Sequence, residues 1–191
     1  MNVYFTASIS GKSKYENEYK EIIKYLKQKQ LNLTEYVLNT SVTQVTKQSL
    51  TDKEKVYHEI ASTIKSSDLI IAEISFPSVA VGHEISLALE SNKPVIALHL
   101  KNTKVGLLEG VRNEKLQIVE YKIENLHKEI DLSIQRAMDS VDIRFNFFIP
   151  PSIVNYLDWL AKKRRIPRSV FLRNLIEREM ENDGEYQKEI Q

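Results

Sequence analysis

The stretch Ser75-Phe76-Pro77-Ser78-Val79-Ala80-Val81-Gly82-His83-Glu84-Ile85 follows the apolar run Leu69-Ile70-Ile71-Ala72-Glu73-Ile74 and leads into a helical pattern from Gly82 to Ser91. A short apolar run bounded by turn residues reads as a strand buried on both faces, so the passage is a strand, a loop and a helix. In open α/β sheets, the loops that leave strand ends carry binding sites. With the helix opening at Gly82, Glu84 falls in the first helical turn, where unpaired N–H groups and the helix dipole favour negative charge. The sequence thus points one carboxylate at a cleft and expects it to stay ionised at neutral pH. A glutamate placed at a helix start only for the dipole is the plainer alternative.

Outward from this stretch, strands and helices alternate. Asn2–Ala7, Asn32–Leu38, Asp68–Ile74, Pro94–His99 and Leu116–Tyr121 read as strands. Lys14–Gln30, Lys53–Ser66, Gly82–Ser91 and Ile123–Asp139 read as helices. That order predicts an α/β domain, a parallel sheet of flavodoxin or Rossmann type covered by helices on both faces. The polar segment Asn39–Thr51 leaves a strand end on the same rim as Glu84 and reads either as a lid over the site or as a surface connection.

Composition bounds the function. The chain has 191 residues, 42% of them hydrophobic and 28% charged, which fits one ordinary globular domain with a small appendage. It contains no cysteine, which excludes disulfides, thiolate catalysis and cysteine-held zinc or iron–sulfur sites, and no metal or other cofactor is expected. Met1-Asn2-Val3-Tyr4-Phe5-Thr6 enters a strand pattern without a signal-peptide profile, and no apolar stretch approaches a membrane span. A cytoplasmic protein with no membrane contact is expected.

The stretch around Glu84 resembles the PS-x-G-VG-x-E motif of the nucleoside 2-deoxyribosyltransferase superfamily, and in particular its 2'-deoxynucleoside 5'-phosphate N-hydrolase branch. Three further segments match in order: Val3-Tyr4-Phe5-Thr6-Ala7-Ser8-Ile9-Ser10-Gly11 is similar to the first strand and phosphate loop, Leu33-Thr34-Glu35-Tyr36-Val37 to the second strand, and Asp68–Glu73 to the third. The similarity covers residues 1–139. It implies that Glu84 attacks the anomeric carbon of a nucleoside or nucleotide. It also implies that Tyr4, Ser8 and Ser78 line the sugar and phosphate pocket, together with Ser10, Gly11, Lys12, Gly82 and His83. The sequence departs from the family pattern at five places: His83 stands where the family has an aromatic before the nucleophile, a phosphate-binding serine that the family takes from a neighbouring subunit has no match near Lys104–Gly110, and three further positions differ. Ser10 stands where the phosphate-gripping arginine is usual, which leaves Lys12 or Lys14 as substitutes. Ile60 occupies the place of a second catalytic acid, and Ala80 replaces the first motif glycine. Cleaving an N-glycosidic bond needs a carboxylate for the cationic carbon and a proton for the base. Glu84 can supply the first, and Glu59, His58 or His83 are candidates for the second.

After Ser140 the pattern changes. Arg144–Ile149 reads as a short strand, Pro151–Lys163 as a helix and Arg168–Asn182 as another, with a polar tail from 183 to 191. Residues 142–182 resemble a ribbon-helix-helix domain, on Ile149-Pro150-Pro151-Ser152, Leu157-Asp158-Trp159-Leu160-Ala161-Lys162-Lys163 and Ile166-Pro167-Arg168-Ser169. A unit this small is expected to fold by dimerising, its strands pairing into a ribbon, with Trp159 in the core. The resemblance implies duplex DNA contacts by Arg144, Asn146 and Phe148 on the strand, and by Arg168 and Ser169 at a helix start. Residues 144–178 hold eight basic side chains against two acidic ones, although the whole chain carries only +1. Two readings follow: a homodimeric hydrolase or transferase acting on the N-glycosidic bond of a nucleoside or nucleoside 5'-monophosphate, or a nucleotide-sensing DNA-binding regulator.

Overall fold

The computed structural model describes residues 1–139, 147–164 and 166–189. The chain divides into two compact units, Met1–Asp142 and Ile143–Gln191. In the first, strands β1 (Asn2–Ala7), β2 (Asn32–Glu35), β3 (Leu69–Glu73), β4 (Val95–Leu100) and β5 (Leu116–Tyr121) form one all-parallel sheet in the order β2-β1-β3-β4-β5. This is the flavodoxin-like order, and it reverses direction between β1 and β3. The central strands are almost wholly buried, which is why they read as unbroken apolar runs rather than as alternations.

Five helices accompany the sheet: α1 (Lys12–Gln28), α2 (Val42–Lys47), α3 (Leu50–Ser66), α4 (Val79–Glu90) and α5 (Leu126–Asp139). One face of the sheet packs Phe5, Ile71, Leu98 and Tyr121 against Tyr19, Ile22 and Leu26 of α1 and Leu126 and Ile130 of α5. The other face packs Tyr4, Ile70, Ala72 and Ala97 against Ile64 of α3 and Val81, Ile85 and Ala88 of α4. Helices α1, α3, α4 and α5 each bury one stripe and leave their polar side in water, whereas α2 buries no residue.

Three local differences from the sequence reading matter for the site. Helix α4 begins at Val79, not Gly82, because the Ser78 side chain caps it by accepting the Val81 N–H at 3.4 Å. Residues 39–51 are not an open loop. Ser41 with Gln44, and Ser49 with Asp52, build two capping boxes that start α2 and α3. Strand β2 stops at Glu35, three residues short of the expected Leu38.

The second unit contains helices α6 (Pro151–Arg164), α7 (Arg168–Asn182) and α8 (Gly184–Glu189). The expected polar tail is therefore partly helical, and Asp183 accepts the N–H groups of Glu185 and Tyr186 at its start. Leu157 and Leu160 are buried, but Trp159 is 54% exposed, contrary to its expected place in the core. Its ring stacks on Tyr156 with Lys163 above it. Of the expected strand 144–149, residues 144–146 lie outside the described residues. Phe147, Phe148 and Ile149 are in no regular element, so the expected strand is not formed there.

Candidate functional site

The reversal between β1 and β3 leaves a crevice at the carboxyl ends of these strands, and the loops that follow them form its walls. A cleft of about 180 Å³ opens there between the loop after β1, the segment after β2 and the start of α4. Successive side chains of a strand point to opposite faces, so Tyr4, Thr6 and Ser8 line up on the cleft side of β1. Opposite them stand Tyr36, Ile60 of α3, and Ser78 and Glu84 of α4. The Tyr4 and Tyr36 rings meet at 6.2 Å and form an aromatic wall.

Glu84 is half-buried at the base of this cleft. Tyr4 donates its hydroxyl proton to Glu84 Oε2 at 3.0 Å, and Thr6 hydrogen-bonds the same carboxylate. With α4 starting at Val79, Glu84 lies in the second turn and the first turn holds no acid. The dipole argument for its ionisation is thus replaced by a different balance. Burial pushes the carboxyl above its ordinary range, and the hydrogen bonds from Thr6 and Tyr4, with the nearby His83, pull it back. A desolvated carboxylate held by two hydroxyls is oriented and only partly quenched, which suits attack on an electrophilic carbon.

The structure brings together Glu84, Tyr4, Ser8, Ser10 and Ser78 in one cleft. The other expected binding residues stand elsewhere. Gly11 serves the fold: its N–H bonds to Ser8, and a Cβ there would meet the Tyr19 hydroxyl oxygen at 2.5 Å and Phe76 at 2.7 Å. Lys12 does not reach the cleft, because its ammonium donates to the carbonyls of Leu38 and Thr40 at 2.8 and 3.0 Å and ties the segment after β2 to α1. Gly82 lies against a separate apolar hollow beside Val105 and Leu108. His83 lines a second cavity that shares Glu84 with the first. No lysine or arginine lines the cleft among the described residues, so Ser8, Ser10 and Ser78 supply its polar contacts beyond Glu84, Thr6 and the two tyrosines.

Thr6, Tyr36 and Val45 also belong to the cleft and were not singled out in the sequence. Thr6 was legible from the period of two that links it to Tyr4 and Ser8. Val45 was hidden because α2 was read as loop, although the Ser41–Gln44 capping pair announces it. Of the candidate proton donors, Glu59 is exposed and accepts the Tyr36 hydroxyl at 3.0 Å, and His58 is exposed with its ring on the edge of Tyr57.

A buried acid lies on the opposite face of the sheet. Glu73, at the end of β3, is fully buried, and burial pushes its carboxyl up to about 7. Ser75 donates to it from both hydroxyl and backbone, and Tyr121 donates at 3.2 Å. The Leu100 N–H in turn donates to the Ser75 hydroxyl at 2.8 Å, so the cluster fastens the root of the 75–78 loop to β4. No three His, Asp or Glu side chains converge as a metal site among the described residues. None of their helices is long and apolar enough to cross a membrane.

In the second unit, Arg144 and Asn146 lie outside the described residues. Phe148 and Ser169 are exposed, and Arg168 is ion-paired with Asp158.

Comparison with known proteins gives this geometry a family. A solved CMP N-glycosidase from Clostridium botulinum has the same fold over 69% of this chain and 99% of its own, with a TM-score of 0.50 and 18% identity. The 5-hydroxymethyl-dUMP N-hydrolase of Danio rerio is 33% identical over 137 residues, which cover 68% of this chain and 94% of that protein. A putative 2'-deoxynucleoside 5'-phosphate N-hydrolase 1 from Methanococcoides burtonii is 28% identical over 108 residues, 56% of this chain and 88% of its own. The family model for nucleoside 2-deoxyribosyltransferase matches residues 3–133, which include β1, the 75–85 stretch and every residue of the cleft, and the chain is a member of the nucleoside 2-deoxyribosyltransferase family.

Proposed function

We propose that this protein cleaves the N-glycosidic bond of a nucleoside 5'-monophosphate or its nucleoside, with Glu84 as the nucleophile. The observation that carries this reading is the Glu84 carboxylate, half-buried and held by Tyr4 and Thr6 in a cleft at the reversal of strand order. A sugar seated there would present its anomeric carbon to Glu84. As the base departs, the carbon gains positive charge and the carboxylate traps it as a glycosyl ester, which water or a second base then opens. Ser8, Ser10 and Ser78 line the cleft, and their hydroxyls would hold a 5'-phosphate by neutral hydrogen bonds. The relatives that hydrolyse deoxynucleoside 5'-phosphates support this substrate class.

The test is release of free base from a panel of nucleosides and their 5'-monophosphates, repeated with Glu84→Gln. The amide is nearly isosteric but cannot form the ester, so base release should fall at least about 10³-fold while the fold persists. Comparable release by the variant would remove Glu84 from the mechanism.

The second unit, as part of the same proposal, is a ribbon-helix-helix-like module through which two chains associate. Its support is the apolar surface left on α6, α7 and the preceding segment: Ile153, Tyr156, Trp159, Ile176 and Phe148 are all at least 44% exposed.

A further inference from the structure

Glu84 is a shared wall of two cavities. Beyond the cleft, a second cavity of about 200 Å³ opens between α3 and α4. On α4 its lining is Ala80, His83, Glu84 and Leu87, the i, i+3, i+4, i+7 stripe of one helical face. On α3 it includes Tyr57 and Ile60. Ile60 and Ala80 border both cavities with Glu84, so a sugar lying over the carboxylate in the cleft directs its base toward the second space. His83 stands in that space with its ring stacked on Tyr57, the centroids 5.8 Å apart. His83 and Glu84 thus stand on one wall of this second cavity.

The departing base of a nucleotide leaves as an anion unless it receives a proton. The side chains around the two cavities limit the donor. Glu59 and His58 line neither. Glu84 is the only carboxyl among the lining residues and is committed to the sugar carbon. Burial and the neighbouring carboxylates push the hydroxyls of Tyr4 and Tyr36 up, away from proton release. Imidazole is the side chain that exchanges protons near neutrality.

We propose that His83 is the general acid that protonates the departing base. The step rests on the reading of Glu84 as nucleophile. As the C1'–N bond breaks, its electron pair moves onto the base, and an imidazolium N–H of His83 gives its proton to a heteroatom of that base. A Glu84 oxygen closes on C1'. The products are a neutral base, a neutral imidazole and a glycosyl ester. When water attacks the ester, the imidazole takes the proton from water, the Glu84–C1' bond breaks, and both side chains return to their starting states.

The test compares two leaving groups on one sugar phosphate, followed in single turnovers with enzyme in excess. One is the nucleoside 5'-monophosphate that wild type cleaves fastest. The other is the 4-nitrophenyl glycoside of the same sugar phosphate, whose nitrophenolate departs without a proton. His83→Gln should slow base release about 10²–10⁴-fold and nitrophenolate release less than about tenfold. Equal losses on both, or no loss on the nucleotide, would overturn the role of His83 and leave Glu84 untouched. Release of neither group by wild type would remove the N-glycosidase reading, and this proposal with it. Glu84→Gln, silent on both substrates, marks the reading as sound.

Discussion

At the scale of single residues, two carboxyls of this protein sit in opposite electrostatic roles. Glu84 is held by hydroxyls in an open cleft, whereas Glu73 is sealed beneath the sheet with Oε2 unpartnered among the described residues. The proton affinity of Glu73 has a consequence for stability. Its folded-state value of about 7 lies above the 4.5 of an exposed glutamate, so the folded chain binds the proton more tightly than the unfolded one. Its contribution is complete below pH 4.5 and is lost as pH rises through 7, amounting to about 3 kcal/mol. Glu73→Gln keeps the shape and cannot ionise. Urea denaturation at pH 5 and pH 8 should show wild type losing about 2–3 kcal/mol more than the variant across that interval, and equal losses would mean that Glu73 is ionised throughout.

At the scale of elements, the site depends on two loops pressed together. The Ser8–Gly11 turn after β1 lies against Phe76 of the loop after β3, with the buried Tyr19 of α1 beneath, and Gly11 sits where no Cβ fits. Its φ of −72° is ordinary, so its need is for space and not for backbone freedom. Gly11→Ala should destabilise the chain by about 1–3 kcal/mol through crowding, read as a lower urea midpoint at unchanged slope. No destabilisation would mean that the two loops part easily. Helix starts decide the rest of the site. Ser78 sets the start of α4, and with it the direction of His83 and Glu84, while the capping boxes at Ser41 and Ser49 bring Val45 and Ile60 to the cavity walls.

At the scale of the whole molecule, the first unit carries its own two-faced core and every residue of the cleft. A chain ending at Asp139 should therefore unfold cooperatively and retain base release at no less than about a third of the wild-type rate. The full chain should scatter light as a dimer or higher oligomer and the shortened chain as a smaller species. A full-length monomer would remove the dimer reading of the second unit. The family match ends at residue 133, so the second unit lies beyond the part that the family model covers.

The sequence by itself determined the centre of the sheet, because parallel strands buried on both faces must be written as largely apolar runs, and β1, β3 and β4 are written so. It also put Glu84 close to a strand end, since the loop that leaves a central strand and the acid after it are neighbours in the chain. Tertiary structure alone decided that Lys12 is tied to Leu38 and Thr40, that Tyr4 and Thr6 grip Glu84, and that Tyr57 of α3 meets His83 of α4. These contacts join residues 26 or more positions apart, and local periodicity carries no information about what lies across a cleft. The proton affinity of Glu84 was likewise beyond the sequence. It depends on how much water the fold removes, and the burial that raises it comes from walls contributed by four separate elements.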